Sequence, residues 1–159
     1  MTNIIHSSFR HGKNLKMGHF CVIDEDVIVG DDVVIENYVL LKKGTRIGDR
    51  TFVDSYVRSS GDNHIGNDVT LRYGSTIAKK VTIEDGAFIA PNVMTIFSTH
   101  RGEESTGTVI GQKAFIGTAA VLGAGVTIGA EVVIGAMAFV SKDCLDKGIY
   151  RGIPARRVG

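Results

Sequence analysis

The sequence predicts an all-β chain wound as a three-sided parallel β-helix, and three regularities predict it. Large aliphatic residues recur every six positions: Met17, Ile23, Val29, Ile35, Leu41, Ile47, Val53, Ser59, Ile65, Leu71, Ile77, Ile83, Ile89 and Thr95, then Ile110, Ile116, Leu122, Ile128, Ile134 and Val140. Eighteen of these 20 are Val, Ile, Leu or Met, types that supply 45 of the 159 residues, so chance would place only about six there. Two positions earlier stands a smaller or branched residue, as in Val27, Val33, Val39, Thr45, Ala114 and Val126. A spacing of two puts both residues on one side of a strand. Glycine often follows the large residue (Gly18, Gly30, Gly48, Gly66, Gly111, Gly117), which suits a bend.

Each six residues then make one short strand and one corner, and three such units close a triangle of 18. Stacked triangles turn the large side chains inward and pair each strand with the one a turn above, at about 4.8 Å per turn. Composition agrees. There are 20 glycines, 18 valines and 17 isoleucines but only 6 leucines, a bias toward pleated strands and away from a helical core.

In chain order, 1–16 reads as an N-terminal segment, 17–142 as the β-helix of about six turns, and 143–159 as a C-terminal tail. The repeat breaks between Thr95 and Ile110, a step of 15 that is not a multiple of six. Residues 97–108 therefore leave the coil as a protruding polar loop, a candidate binding element. Residues just before each inward position point outward. Sorted in steps of 18, one face carries Val34, Phe52, Thr70 and Phe88, continued by Phe115 and Val133 if the loop replaces a single unit. A second carries Ile28, Arg46, His64 and Thr82. A third carries Val22, Leu40, Arg58, Thr76 and Met94.

Lys+Arg 18 against Asp+Glu 17 leaves a net charge of +1, which gives no whole-chain case for nucleic acid or an anionic membrane. No apolar run is long enough to span a bilayer, and no signal-peptide core stands near the N-terminus. Two cysteines make neither a disulfide framework nor a metal cluster. The expectation is a reduced, cytoplasmic protein without a membrane span.

The hexad pattern over about 17–157 resembles the hexapeptide-repeat family of left-handed parallel β-helices, and the handedness is implied by that resemblance. Val81 to His100, VTIEDGAFIAPNVMTIFSTH, is similar to the galactoside, maltose and related O-acetyltransferases, where A-P-N-V is followed by a short apolar segment and T-x-H. The resemblance implies that His100 is the general base. The chemistry fits: a sugar hydroxyl attacks poorly until its proton is taken, and an imidazole titrating near pH ~6.5 can take it. Ile116-Gly117-Thr118, GVTIG at 125–129, Ile134-Gly135-Ala136, Ser141-Lys142-Asp143 and Gly152-Ile153-Pro154-Ala155-Arg156 resemble the family's acetyl-coenzyme A positions. By that match Thr118 and Ala136 meet the pantetheine arm, Ser141 and Lys142 lie near the nucleotide end, and Arg156 lies near its phosphates. The tail supports this independently, since Lys142, Lys147, Arg151, Arg156 and Arg157 outnumber Asp143 and Asp146.

Departures narrow the acceptor. Phe115 stands where relatives often carry Trp, DCLDKG follows Lys142, and no asparagine stands at Arg72 or Tyr73. These differences turn the expectation from simple galactosides or maltose toward a sugar or sugar nucleotide, in bacterial surface polysaccharide biosynthesis. The expected protein is a homotrimeric acetyl-coenzyme A-dependent acetyltransferase acting on a hydroxyl or an amine. On an amine, His100 would only bind. The alternatives are a non-catalytic β-solenoid scaffold and a γ-class carbonic-anhydrase-like protein. The latter lacks its ligand spacing here, and no metal ligand set is expected.

Overall fold

A computed structural model describes residues 2–158, which form strands and turns and no helix. Nearly every strand is two residues long, one outward and one inward. Arg46–Ile47, Phe52–Val53 and Thr82–Ile83 each pair a partly exposed first residue with a buried second one. Two residues suffice because the strand gains stability sideways, from the turns above and below, rather than along its own length.

The strands sort into three sheets. The first face comprises Ile4–Ile5, Val22–Ile23, Leu40–Leu41, Arg58–Ser59, Thr76–Ile77, Met94–Thr95, Val121–Leu122 and Phe139–Val140. The second comprises Arg10–His11, Ile28–Val29, Arg46–Ile47, His64–Ile65, Thr82–Ile83, Val109–Ile110 and Thr127–Ile128. The third runs from Lys16–Met17 through Val34–Ile35, Phe52–Val53, Thr70–Leu71, Phe88–Ile89, Phe115–Ile116 and Val133–Ile134 to Ile149–Arg151, with Arg156–Val158 added antiparallel. All other pairings are parallel, at a step of 18, or 27 across the loop, as in Val34↔Phe52 and Phe88↔Phe115, except the last, Val133↔Ile149, at a step of 16. The three outward ladders read from the hexads are thus the three faces of the prism.

The coil begins earlier and runs longer than the hexads suggested. Ile4–Ile5 and Arg10–His11 lie within the stretch 1–16 assigned to an N-terminal segment and form a first turn with Lys16–Met17, and there are about eight turns rather than six. Ile5 is 45% exposed and His11 is exposed, so the burial that imposes aliphatic residues on later turns does not operate there.

The core is a single column. Ile23, Ile35, Leu41, Leu71, Ile83, Ile116, Leu122 and Ile134 are all fully buried, each contributing about 1.5–3 kcal/mol of transfer free energy. The smaller inward residues Val27, Val33, Val69, Ala120 and Val132 close the corners beside them.

The corners differ from expectation in one respect. The glycines after the large residues do not carry the left-handed backbone; Asp26, Asp32, Tyr38, Arg50, Asp68 and Asn92 do, with φ between 54° and 59°. The glycines instead permit close approach between turns. A Cβ on Gly30 would collide with the Asp49 carboxylate, which occupies that space to accept the Asp31 N–H at 2.8 Å. The motif repeats along this corner: Asp31 accepts from Lys13 N–H at 2.7 Å, and Asp85 from Asn67 N–H at 2.8 Å. Among the described residues no helix is long and apolar enough to cross a membrane.

Candidate functional site

The break in the repeat is a protruding loop at the corner between the first and second faces, between Met94–Thr95 and Val109–Ile110. It folds back as a small hairpin. Ser98 and Glu104 form an antiparallel bridge, Ser105 N–H donates to Phe97 C=O at 2.9 Å, and Thr99 N–H donates to Glu103 C=O at 3.0 Å. Gly102 N–H donates to Thr99 C=O at 2.9 Å, so His100 and Arg101 occupy the two central positions of the tip. His100 is exposed there.

The hairpin base is clamped to the coil on both sides. Below, the Lys80 ammonium lies 5.5 Å from the Phe97 ring centroid. Gly107, buried with φ +106°, passes so close to the Lys80 carbonyl that a Cβ would overlap it. Above, Ser105 packs against Gly125 of the next turn.

The residues matched to the coenzyme positions flank the upper first face. Thr118 and Ala136 are exposed at its corner with the third face, on adjacent turns, where Met137 N–H donates to Thr118 C=O at 2.8 Å. Ser141 and Lys142 are exposed at the opposite corner, two turns above the hairpin and in line with it. Lys142 and Arg156 are brought together: with Tyr150 and Arg157 they line a shallow pocket of about 250 Å³. Thr118 and Ala136 thus lie at one edge of the face bearing Val121 and Phe139 and Ser141 and Lys142 at the other, while Arg156 reaches the Lys142 pocket from the last strand of the third face. Cys144, at the same pocket, is a buried free thiol whose pKa is raised by burial and then by the Asp143 charge. Burial likewise raises the pKa of Cys21.

Below the hairpin, the first face carries a feature not anticipated from the hexads. A groove of about 800 Å³ crosses Leu40, Arg58, Thr76 and Met94, with Lys42, Lys43 and Lys79 along its rim. Beneath it the core turns polar. Thr45 and Ser59 hydroxyls lie 2.6 Å apart, and Ser59 Oγ is 2.6 Å from Asn63 Oδ1. Asn63 Nδ2 donates to Ala78 C=O at 2.6 Å, and Ala78 N–H donates to Thr95 Oγ1 at 2.7 Å. All four side chains are at least 96% buried. The signal was in the repeat: Ser59 and Thr95, its two departures, both lie inward on this face. His64 stands exposed on the second face, and among the described residues no three His, Cys, Asp or Glu side chains gather as a metal site.

Comparison with known proteins finds the same repeat. Residues 107–142 match the bacterial transferase hexapeptide family (six repeats). An acyl-[acyl-carrier-protein]–UDP-N-acetylglucosamine O-acyltransferase from Alkalilimnicola ehrlichii is 37% identical over 68 residues, covering 38% of this chain and 26% of that protein. The chain therefore spans about a quarter of that relative's length. Among solved structures, a UDP-N-acetylglucosamine acyltransferase from Campylobacter jejuni aligns over 98% of this chain and 72% of that one, with TM-score 0.78 and 18% identity. At that identity the likeness concerns the fold. A maltose O-acetyltransferase from Clostridium difficile 630 aligns over 73% of this chain and 68% of that one, with TM-score 0.66 and 27% identity.

Proposed function

We propose that this chain, a hexapeptide-repeat protein of the left-handed β-helix fold, is an acyltransferase that moves an acetyl group from acetyl-coenzyme A to a hydroxyl or amine of a sugar or sugar nucleotide. One observation carries the reading. The His100 hairpin and the Ser141–Lys142 corner stand in one line along one edge, two turns or about 10 Å apart. A thioester arm reaching down from a phosphate-bearing end near Lys142 and Arg156 would meet the hairpin.

In this mechanism the acceptor oxygen attacks the thioester carbonyl directly. The C–O bond forms, and the tetrahedral intermediate expels the coenzyme A thiolate. His100 takes the acceptor proton and returns it to the departing sulfur. On an amine acceptor, His100 binds rather than deprotonates. An acyl-enzyme is not part of the reading, because both cysteines are buried with raised pKa values. Ser141 and Lys142 serve the nucleotide end and Arg156 the phosphates; Thr118 and Ala136, on the opposite edge of the face, serve the pantetheine arm of a coenzyme held on a neighbouring subunit's Lys142 edge.

The protein works as a cytoplasmic homotrimer in bacterial surface polysaccharide biosynthesis. The outward ladder Val34, Phe52, Thr70, Phe88, Phe115 and Val133 on the third face, apolar but for Thr70, supports the assembly. It is too apolar for a solvated face, and the Phe88 and Phe115 rings stack 5.3 Å apart. The donor has a second reading, because the Alkalilimnicola ehrlichii relative is named for an acyl carrier protein. A thiol-release assay with acetyl-coenzyme A and acetyl-acyl carrier protein, across sugar nucleotides and amino sugars, tests both. Release above hydrolysis with some acceptor is expected. No release with either donor, and no rise in Tm with coenzyme A, would overturn the reading.

A further inference from the structure

We infer that the groove on the lower first face is the acceptor subsite, that it selects an acceptor bearing an anionic group, phosphate or carboxylate, and that Arg58 recognises that group. The inference rests on the acyltransferase reading for the word acceptor. The binding part stands on the groove itself.

Position comes first. The groove runs along the axis from Leu40 to Met94, three steps or about 14 Å, and Met94–Thr95 is the strand from which the hairpin departs. A molecule lying in it has one end beside the hairpin. Its volume, about 800 Å³, lies within the range of small-ligand clefts. Leu40 and Met94 offer apolar surface for the C–H face of a sugar ring.

Charge comes second. Four cations line the groove, Lys42, Lys43, Arg58 and Lys79, against two carboxylates, Asp24 and Asp62. The lysines are already engaged. Lys42 pairs with Asp24 at 3.2 Å, Lys43 with Glu25 at 2.8 Å, and Lys79 with Asp62 at 3.7 Å. Arg58 is the exception. It is exposed, and among the described residues its guanidinium has no carboxylate partner, only a long contact of 3.4 Å to Thr76 Oγ1. A guanidinium held at the centre of a cleft without a counter-ion is suited to bidentate capture of a phosphate or carboxylate. It lies two turns below Met94, leaving room for a sugar ring between the anion and the hairpin.

The floor is the independent observation. Along most of the coil the core is aliphatic, yet here Ser59 replaces the large residue and joins Thr45, Asn63 and Thr95 in a buried chain of hydrogen bonds. Buried polar groups are costly unless satisfied, and these satisfy one another and both the N–H and the C=O of Ala78. The Ala78 backbone leads into Lys79 on the groove rim and Lys80 under the hairpin. One internal network therefore fixes both the groove wall and the hairpin base.

The test measures binding by calorimetry and turnover by thiol release. The probes are UDP-glucose for a diphosphate, glucuronic acid for a carboxylate and methyl glucoside for a neutral sugar. Arg58→Gln is compared with Arg46→Gln, the same charge change on the second face. At least one anionic probe should bind more tightly than methyl glucoside, and Arg58→Gln should weaken it about tenfold or more. Coenzyme A affinity should be unchanged, and Arg46→Gln should bind like the parent. The diphosphate and carboxylate arms tell which anion is taken. Equal binding of neutral and anionic probes, binding of neither anionic probe, or an Arg58→Gln variant with parental affinity would overturn the inference. Arg58-dependent binding with no thiol release would support the groove while overturning acyl transfer. Thiol release from neutral acceptors alone would do the reverse.

Discussion

Single residues at the hairpin separate chemistry from positioning. His100 is exposed at the tip, so His100→Ala should lower kcat by ~10²–10⁴ without changing coenzyme A affinity or Tm. Near-parental turnover would assign it to binding and favour an amine acceptor. Gly107 acts differently. With φ +106° and the Lys80 carbonyl against it, any side chain must displace the hairpin base. Gly107→Ala should reduce activity while the circular dichroism of the coil is retained. Lys142 and Arg156 share one pocket, so neutralising either should raise KM for acetyl-coenzyme A more than it lowers kcat. In the buried chain, Asn63→Ala would strand the Ala78 carbonyl and take one partner from the Ser59 hydroxyl. It should cost about 2 kcal/mol in urea denaturation.

The two-residue strand is too short to be stable alone, and the corners give it register. Aspartates reach across one turn to backbone N–H groups, and exposed ion pairs tie neighbouring corners together. Arg50 donates two hydrogen bonds of 2.8 Å to Asp68, and Lys43 sits 2.8 Å from Glu25. The hydrogen bond from the basic partner, reinforced by its charge, holds Glu25, Asp68 and Glu131 below the usual carboxylate range. A depressed carboxylate stabilises the fold above the unfolded-state value near ~4, and the gain is lost as pH falls through the lower folded values. Tm should therefore hold from neutral pH down to about 5 and fall below about 4. Because these pairs are exposed, 1 M salt should flatten the acid limb. An acid limb indifferent to salt would show that they contribute little.

At the scale of the molecule, contacts run almost entirely between neighbouring turns, so stability is a sum along one axis. The three faces are then free to differ. The third is mostly apolar outward, the first carries the groove and is flanked by the matched coenzyme positions, and the second runs Ile28, Arg46, His64, Thr82, Val109 and Thr127. If the third face is covered by a neighbouring subunit, Phe52→Glu with Phe88→Glu should convert a trimer into monomers by light scattering and abolish turnover. A parental monomer, or a fully active monomeric double variant, would remove the assembly from the reading.

The hexads by themselves determined the all-β class, the in-register parallel pairing, the assignment of outward residues to three faces and the position of the 97–108 loop. They could do so because each turn buries the same kind of side chain in the same place, and a broken period has nowhere to go but outward. The first turn escaped them because His11, its second inward position, is exposed at the end of the coil, where burial does not demand an aliphatic residue. The tertiary structure alone decided three things. The hairpin is clamped between Lys80 and Gly125, Lys142 meets Arg156 in one pocket, and Ser59 and Thr95 belong to one hydrogen-bonded chain under a groove. Each joins residues separated by 14 or more positions, such as Thr45 with Ser59 and Lys142 with Arg156. Their meeting depends on how turns stack and how a nine-residue insertion folds back, and no local periodicity encodes that.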